Sequence, residues 1–205
     1  MLKVGLTGGL ASGKSFVGET LRELGCYLIR ADELGHQTLE RDGAAYNDVV
    51  AEFGAGILNA DGTIDRKALG SIVFSDPDRL ARLNQLIHPH VFRMQDDRIA
   101  EIAARDPDAI VVVEAAIMIE TGSHKRYQKL IVVVCTQAQQ MERALRRDRM
   151  SRKEVMARLS RQMPLAQKIR YADYVIDNSG SREATIAQTR GVFRQLKKLL
   201  EEVKT

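Results

Sequence analysis

The stretch that most constrains this chain is Gly8-Gly9-Leu10-Ala11-Ser12-Gly13-Lys14-Ser15, which follows the apolar run Leu2-Lys3-Val4-Gly5-Leu6-Thr7. Its spacing fits G-x-x-x-x-G-K-[ST], the phosphate-binding P-loop. Glycines let successive backbone N–H groups turn inward as a nest for phosphate oxygens. A helix starting there adds unsatisfied N–H groups and the positive end of its dipole. Lys14 is then placed for β- and γ-phosphates, and the Ser15 hydroxyl for Mg²⁺. Residues 2–6 read as a short buried strand, and Val17, Leu21 and Leu24 recur at helical spacing before Gly25. Strand, glycine loop and amphipathic helix thus occur in the order the motif requires. That context disfavours the plain alternative, a glycine-rich turn with a chance Lys-Ser.

The remainder reads as an α/β chain with a parallel five-stranded sheet flanked by helices. Residues 26–29 form a second strand that ends in Arg30-Ala31-Asp32. Parallel sheets bind ligands outside the carboxyl ends of their strands, so Asp32 is expected on the P-loop edge. Three roles suit a carboxylate there: general base, outer-shell partner of Mg²⁺, or N-cap of the next helix. Residues 33–107 are mostly helical and too long for a simple crossover, which makes them an inserted unit. Within it Tyr46, Val49, Val50 and Phe53 share a stripe, Asp65 is placed to cap a helix bearing Leu69, Ile72 and Val73, and His88-Pro89-His90 is expected to mark a helix junction. Ile110-Val111-Val112-Val113 is a central strand closing on Glu114, where an acid can support Mg²⁺ through water or simply end a strand. A further strand runs from Leu130 to Cys135, and a last short one from Tyr174 to Asp177 precedes the Asn178-Ser179-Gly180 turn and a closing amphipathic helix.

Residues 139–170 carry ten Lys or Arg against three acids, with Arg143 and Arg147 one helical turn apart. A solvated surface helix has this composition. So does a lid whose arginines close over phosphates, and so does a nucleic-acid patch. The stretch has no aromatic residue for base stacking, and the lid is the favoured reading.

Length and composition set milder bounds. The 205 residues suit one α/β domain with room for insertions. No apolar run is long enough to cross a bilayer and no secretory leader is recognisable, so a cytoplasmic protein is expected. Cys26 and Cys135 suggest neither a metal site nor a disulfide framework. The net charge of +4 suits phosphorylated metabolites as well as nucleic acid.

Three classes of P-loop protein compete. A switch GTPase finds D-x-x-G in Asp32 to Gly35, but directly after the second strand and with no N-K-x-D to read guanine. A motor or nucleic-acid-dependent ATPase needs a larger core. A small-molecule kinase has the right layout: compact core, inserted acceptor-binding helices and an arginine-rich lid. Leu6-Thr7-Gly8-Gly9, Ala31-Asp32, Asp61-Gly62 with Asp65-Arg66, Ile87-His88-Pro89, Gln162 and Ile176-Asp177-Asn178-Ser179-Gly180 occur in this order and spacing. Together they closely resemble the dephospho-CoA kinase family, over essentially the whole chain. Two departures stand out: Ala116-Ile117-Met118 replaces a frequent Pro-Leu-Leu, and Phe16 stands where Thr commonly follows the P-loop serine.

The resemblance implies ATP-dependent phosphorylation of the ribose 3′-hydroxyl of dephospho-CoA, giving coenzyme A and ADP. It implies one domain, with a core at about 1–32, 108–138 and 171–205, an acceptor-binding insertion at about 33–107 and a lid at about 139–170. ATP would dock on Gly8, Gly9, Ala11, Ser12, Gly13, Lys14, Ser15 and Phe16, with Asn178 on the adenine side. Asp32 would orient the hydroxyl and take its proton, while Lys14, Arg143 and Arg147 spread the transferring charge. Arg66, His88 and Pro89 would belong to the acceptor side, and Ser15 to Mg²⁺, with Glu114 behind it through water. Neither nucleic acid nor membrane is an expected partner.

Overall fold

The computed structural model describes residues 1–148 and 151–202, with backbone only at 147 and 148. Its framework is a parallel five-stranded sheet of order β2-β3-β1-β4-β5. The strands are β1 (Leu2–Gly8), β2 (Tyr27–Arg30), β3 (Ile110–Glu114), β4 (Lys129–Val134) and β5 (Tyr174–Asp177). β1 lies at the centre, with Val4 opposite Val112 on one side and Lys129 on the other. β1 connects to β2 on one side of the sheet, and β3 then crosses over β1 to β4 on the other, so the carboxyl end of β1 lies at the topological switch point where such sheets bind ligands.

The pleat sends alternate residues to opposite faces. Leu2, Val4 and Leu6 of β1 join Ile131 and Val133 of β4 in one buried cluster. The apolar sides of α1 (Lys14–Glu23) and α9 (Arg182–Glu202) complete that cluster through Val17 and Leu21, and Val192, Leu196 and Leu200. The opposite face buries Leu130 and Val132 with Met118 and Ile119. Each such side chain contributes about 1.5–3 kcal/mol by leaving water.

The chain divides into two compact units, residues 1–30 with 102–205 and residues 31–101. The second unit is helical: α2 (Ala31–Thr38), α3 (Tyr46–Phe53), α4 (Arg66–Ser75) and most of α5 (Pro77–Arg105). Its own core gathers Val49, Ile57, Leu69, Val73 and Leu83. The Asp65 carboxylate accepts from the N–H groups of Lys67 and Ala68 at 2.8 and 3.1 Å, the N-cap its sequence position implies.

Three local expectations are corrected. No junction occurs at Pro89, because α5 runs through it. Proline inside a helix costs about 3 kcal/mol; Leu83, Val91 and Gln95 are buried along the same helix, and that packing offsets it. The second strand begins at Tyr27 and the fourth ends at Val134, so Cys26 and Cys135 flank strands instead of lying in them. Burial pushes the Cys26 thiol up to about 12. Finally, the basic stretch is three helices, α6 (Gln137–Asp148), α7 (Arg152–Leu159) and α8 (Leu165–Lys168), and not one. Among the described residues no helix is long and apolar enough to cross a membrane.

Candidate active site

At the end of β1 the chain turns through residues 9–13 into α1. Gly13 is the N-cap and has φ +96°, a left-handed conformation that costs a residue with a Cβ. A Cβ there would also collide with the Asn178 side-chain amide. Ala11 adopts positive φ as well, at +52°, a state that costs on the order of 1–2 kcal/mol without glycine and must be held by its surroundings. Lys14 Nζ donates to the Gly9 carbonyl at 3.1 Å, folding the ammonium back along the loop. Such a lysine swings onto phosphate oxygens when they arrive.

Ser15 Oγ donates to Glu114 Oε1 at 2.8 Å. Glu114 ends β3 beside Leu6 and is only 7% exposed. Its second oxygen, Oε2, is buried without a hydrogen-bond partner and has Arg30 Nε at 3.8 Å. A buried carboxylate oxygen left in this state is costly unless another ligand meets it. Hard oxygen donors at a P-loop serine suit Mg²⁺, which keeps several waters and binds largely through substrate phosphates. Among the described residues no group of three His, Cys, Asp or Glu could hold a metal by itself, so a cation here would be shared with the nucleotide.

Asn178 follows β5 and is buried. Its Nδ2 donates to the Ser12 carbonyl at 2.8 Å, and its Oδ1 accepts from the Thr185 hydroxyl at 3.0 Å. The side chain thus braces the P-loop, and the Ser179 carbonyl accepts from Gln139 Nε2 at 2.8 Å. Arg143 Nη2 donates to the Asn178 carbonyl at 3.0 Å, while its buried Nη1 has no hydrogen-bond partner. The Arg182 guanidinium lies 4.7 Å from the centre of the Phe16 ring. The side chain of Arg147 lies outside the described residues.

In the helical unit, α2 begins at Ala31, so Asp32 lies within its first turn and not at the N-cap. There its charge is favoured by the helix dipole. Arg66 Nη2 is 2.6 Å from His36 Nε2. A guanidinium can only donate, so His36 accepts at Nε2 and carries its proton on Nδ1. Burial, then the Arg66 charge, holds His36 below its ordinary value of 6.5, against the pull of Asp32 and Glu33. Burial likewise lowers His88, whose ring is tilted against Phe92 at 5.7 Å.

Sequence reasoning missed two contributors. Gln140 and Lys168 reach the P-loop backbone, and in the sequence they are one glutamine and one of ten basic residues in a polar helical run. Their only signal is the three-dimensional return of the chain.

A phosphate nest at the switch point of a parallel sheet, with a serine–acid pair for a cation and an arginine helix beside it, defines a P-loop phosphotransferase. The comparisons narrow the class. A family model described as dephospho-CoA kinase matches residues 2–184. The dephospho-CoA kinase of Aquifex aeolicus is 40% identical over 96% of this chain and 98% of its own length. A solved structure of TT1252 from Thermus thermophilus superposes with a TM-score of 0.81 at 30% identity, covering 95% of this chain and 97% of that one. Dephospho-CoA kinase from Campylobacter jejuni does so with a TM-score of 0.69 at 25% identity, over 96% and 97%. The chain belongs to the dephospho-CoA kinase family.

Proposed function

We propose that this protein transfers the γ-phosphoryl group of ATP to the ribose 3′-hydroxyl of dephospho-CoA, releasing coenzyme A and ADP as the last step of coenzyme A synthesis in the cytoplasm. The observation that carries the phosphoryl chemistry is the Ser15–Glu114 pair, 2.8 Å apart at the mouth of the P-loop. Membership of the family supports the acceptor.

ATP docks on residues 8–16, with backbone N–H groups around its phosphates and the 178–180 turn on the adenine side. Asp32 orients the 3′-hydroxyl and accepts its proton as the oxygen attacks in line. Lys14, Arg143 and Arg147 spread the charge that develops on the transferring group. Mg²⁺ would be held by Ser15, with Glu114 behind it through water, and supplies neutralisation of the phosphate charge. Arg66, set by His36, together with His88 and Pro89, serves the acceptor. The helices of residues 139–170 act as a lid that keeps water from the γ-phosphate.

The test is ADP release from ATP–Mg²⁺ with and without dephospho-CoA, with the product weighed by mass spectrometry. Gain of one phosphate on dephospho-CoA is the expected result. ATP turnover indifferent to that acceptor would return the question to other small-molecule kinases. Steeply salt-dependent affinity for DNA or RNA without acceptor phosphorylation would overturn the kinase reading.

A further inference from the structure

The segment assigned to the lid reaches the P-loop itself: Gln140 on α6, Gln162 on the turn between α7 and α8, and Lys168 on α8 each end on the P-loop backbone. The Leu10 N–H donates to Gln162 Oε1 at 2.7 Å, and Gln140 Nε2 donates to the Leu10 carbonyl at 2.8 Å. Both polar backbone atoms of one P-loop residue are therefore held by side chains far away in sequence. Lys168 Nζ donates to the Gly8 carbonyl at 3.2 Å and to the Ala116 carbonyl at 3.0 Å. Its side chain is 0% exposed, and its counter-ion is Glu120 at 2.9 Å. Glu120 also accepts from the Met163 N–H at 2.9 Å, which fixes the turn that presents Gln162.

Apolar contacts follow the same line. Leu10 is buried with Ala144 and Val155, and Ala11, Met141 and Leu159 pack around them. The next residue after Leu10 is Ala11, whose φ of +52° has to be imposed on an alanine.

We propose that Gln162 is a positioning residue for nucleotide binding, holding the P-loop in its phosphate-binding shape with Gln140 and Lys168. The clamp makes the loop conditional on the seating of Gln140, Gln162 and Lys168: the Leu10 amide is fixed on Gln162 directly before the left-handed Ala11, and the Ser12 amide closes the turn on the Gly9 carbonyl at 3.3 Å. The inference rests on residues 8–15 being the nucleotide site, and it is read without any acceptor.

Gln162 is half-buried and carries no charge, so its replacement leaves no buried charge unpaired. In Gln162→Leu, amide hydrogen exchange over residues 8–15 is expected to accelerate about tenfold or more while β3 and β4 keep their protection. ATP–Mg²⁺ binding by calorimetry is expected to weaken about fivefold to tenfold, the usual consequence of one lost hydrogen bond to a buried amide. Gln162→Glu keeps an acceptor oxygen and is expected to restore the exchange protection of residues 8–15. Exchange and affinity both within about twofold of wild type in Gln162→Leu would overturn the clamp. So would acceleration shared equally by β3 and β4, which marks general loosening. A wild-type protein that binds ATP but does not phosphorylate dephospho-CoA would instead sink the proposed function and leave the clamp standing.

Discussion

The two compact units build their functional residues in opposite ways. In the sheet unit, the P-loop is tied by buried and half-buried partners from distant parts of the chain: Asn178 on the Ser12 carbonyl, Gln140 and Gln162 on Leu10, Lys168 on Gly8. In the helical unit, Asp32 and His36 lie exposed on α2, and His36 meets Arg66 through an exposed contact. On the proposed function, these ties hold the P-loop backbone in place before ATP arrives, which would lower the entropy lost on binding. In the helical unit, which the proposed function assigns to the acceptor, these side chains stand on helices around a small core of their own.

Substitutions can break or sharpen this contrast. On the nucleotide side the largest effect is expected from Lys14→Met, with transfer falling about 10²–10³-fold as for loss of one preorganised transition-state donor. Steady-state ADP formation at saturating ATP measures it; an effect confined to a raised ATP KM would move Lys14 from catalysis to simple binding. Glu114→Gln should lose about 10–100-fold in activity, as outer-shell metal partners do. The loss should shrink as Mg²⁺ is raised, whereas a flat Mg²⁺ profile would leave Glu114 as a strand-end carboxylate. Arg66→Ala should raise the KM for dephospho-CoA about tenfold, the size of one lost charge-assisted contact, with ATP affinity unchanged.

The smallest effect is in pH. His36 is held below its ordinary value of 6.5 in the folded state, so folding disfavours its protonated form. Its contact with Arg66 is complete above that value and is lost as pH falls through the lowered one, because an imidazolium would face a guanidinium. The KM for dephospho-CoA should therefore climb on acidification while ATP affinity stays level. Because burial also lowers His88, His36→Gln isolates the effect: an unchanged pH profile in that variant would assign the dependence elsewhere.

Most of the architecture was legible because the strongest signals are local. The P-loop spacing, the polar-free strands at Ile110 and Leu130, and the Asp65 cap each declare themselves within a few residues. That Ser15 and Glu114 lie near one another could be expected from position, since the P-loop follows β1 and Glu114 ends the neighbouring β3, but their direct hydrogen bond was not foreseen. Pro89 was misread because a local preference against helix was overridden by packing along a 29-residue helix. The braces on the P-loop were invisible for a different reason. A glutamine on a polar helix looks the same whether it faces solvent or a backbone 130 residues away, and only the fold distinguishes them. Asn178 was assigned to the adenine side by resemblance, yet its side-chain amide is spent on Ser12 and Thr185.

The proposed assignment of ATP to the P-loop and of the acceptor hydroxyl to Asp32 is tested most directly at Asp32. ATP–Mg²⁺ affinity and phosphoryl transfer to dephospho-CoA should be measured on one preparation of Asp32→Asn beside wild type. The expected result is an ATP dissociation constant within about twofold of wild type. Transfer should be lower by about 10²–10⁴-fold, as for loss of a positioned base. Transfer at the wild-type rate would contradict it and reduce Asp32 to a helix-start carboxylate, and a matching loss of ATP affinity would show that the two sites are not separate.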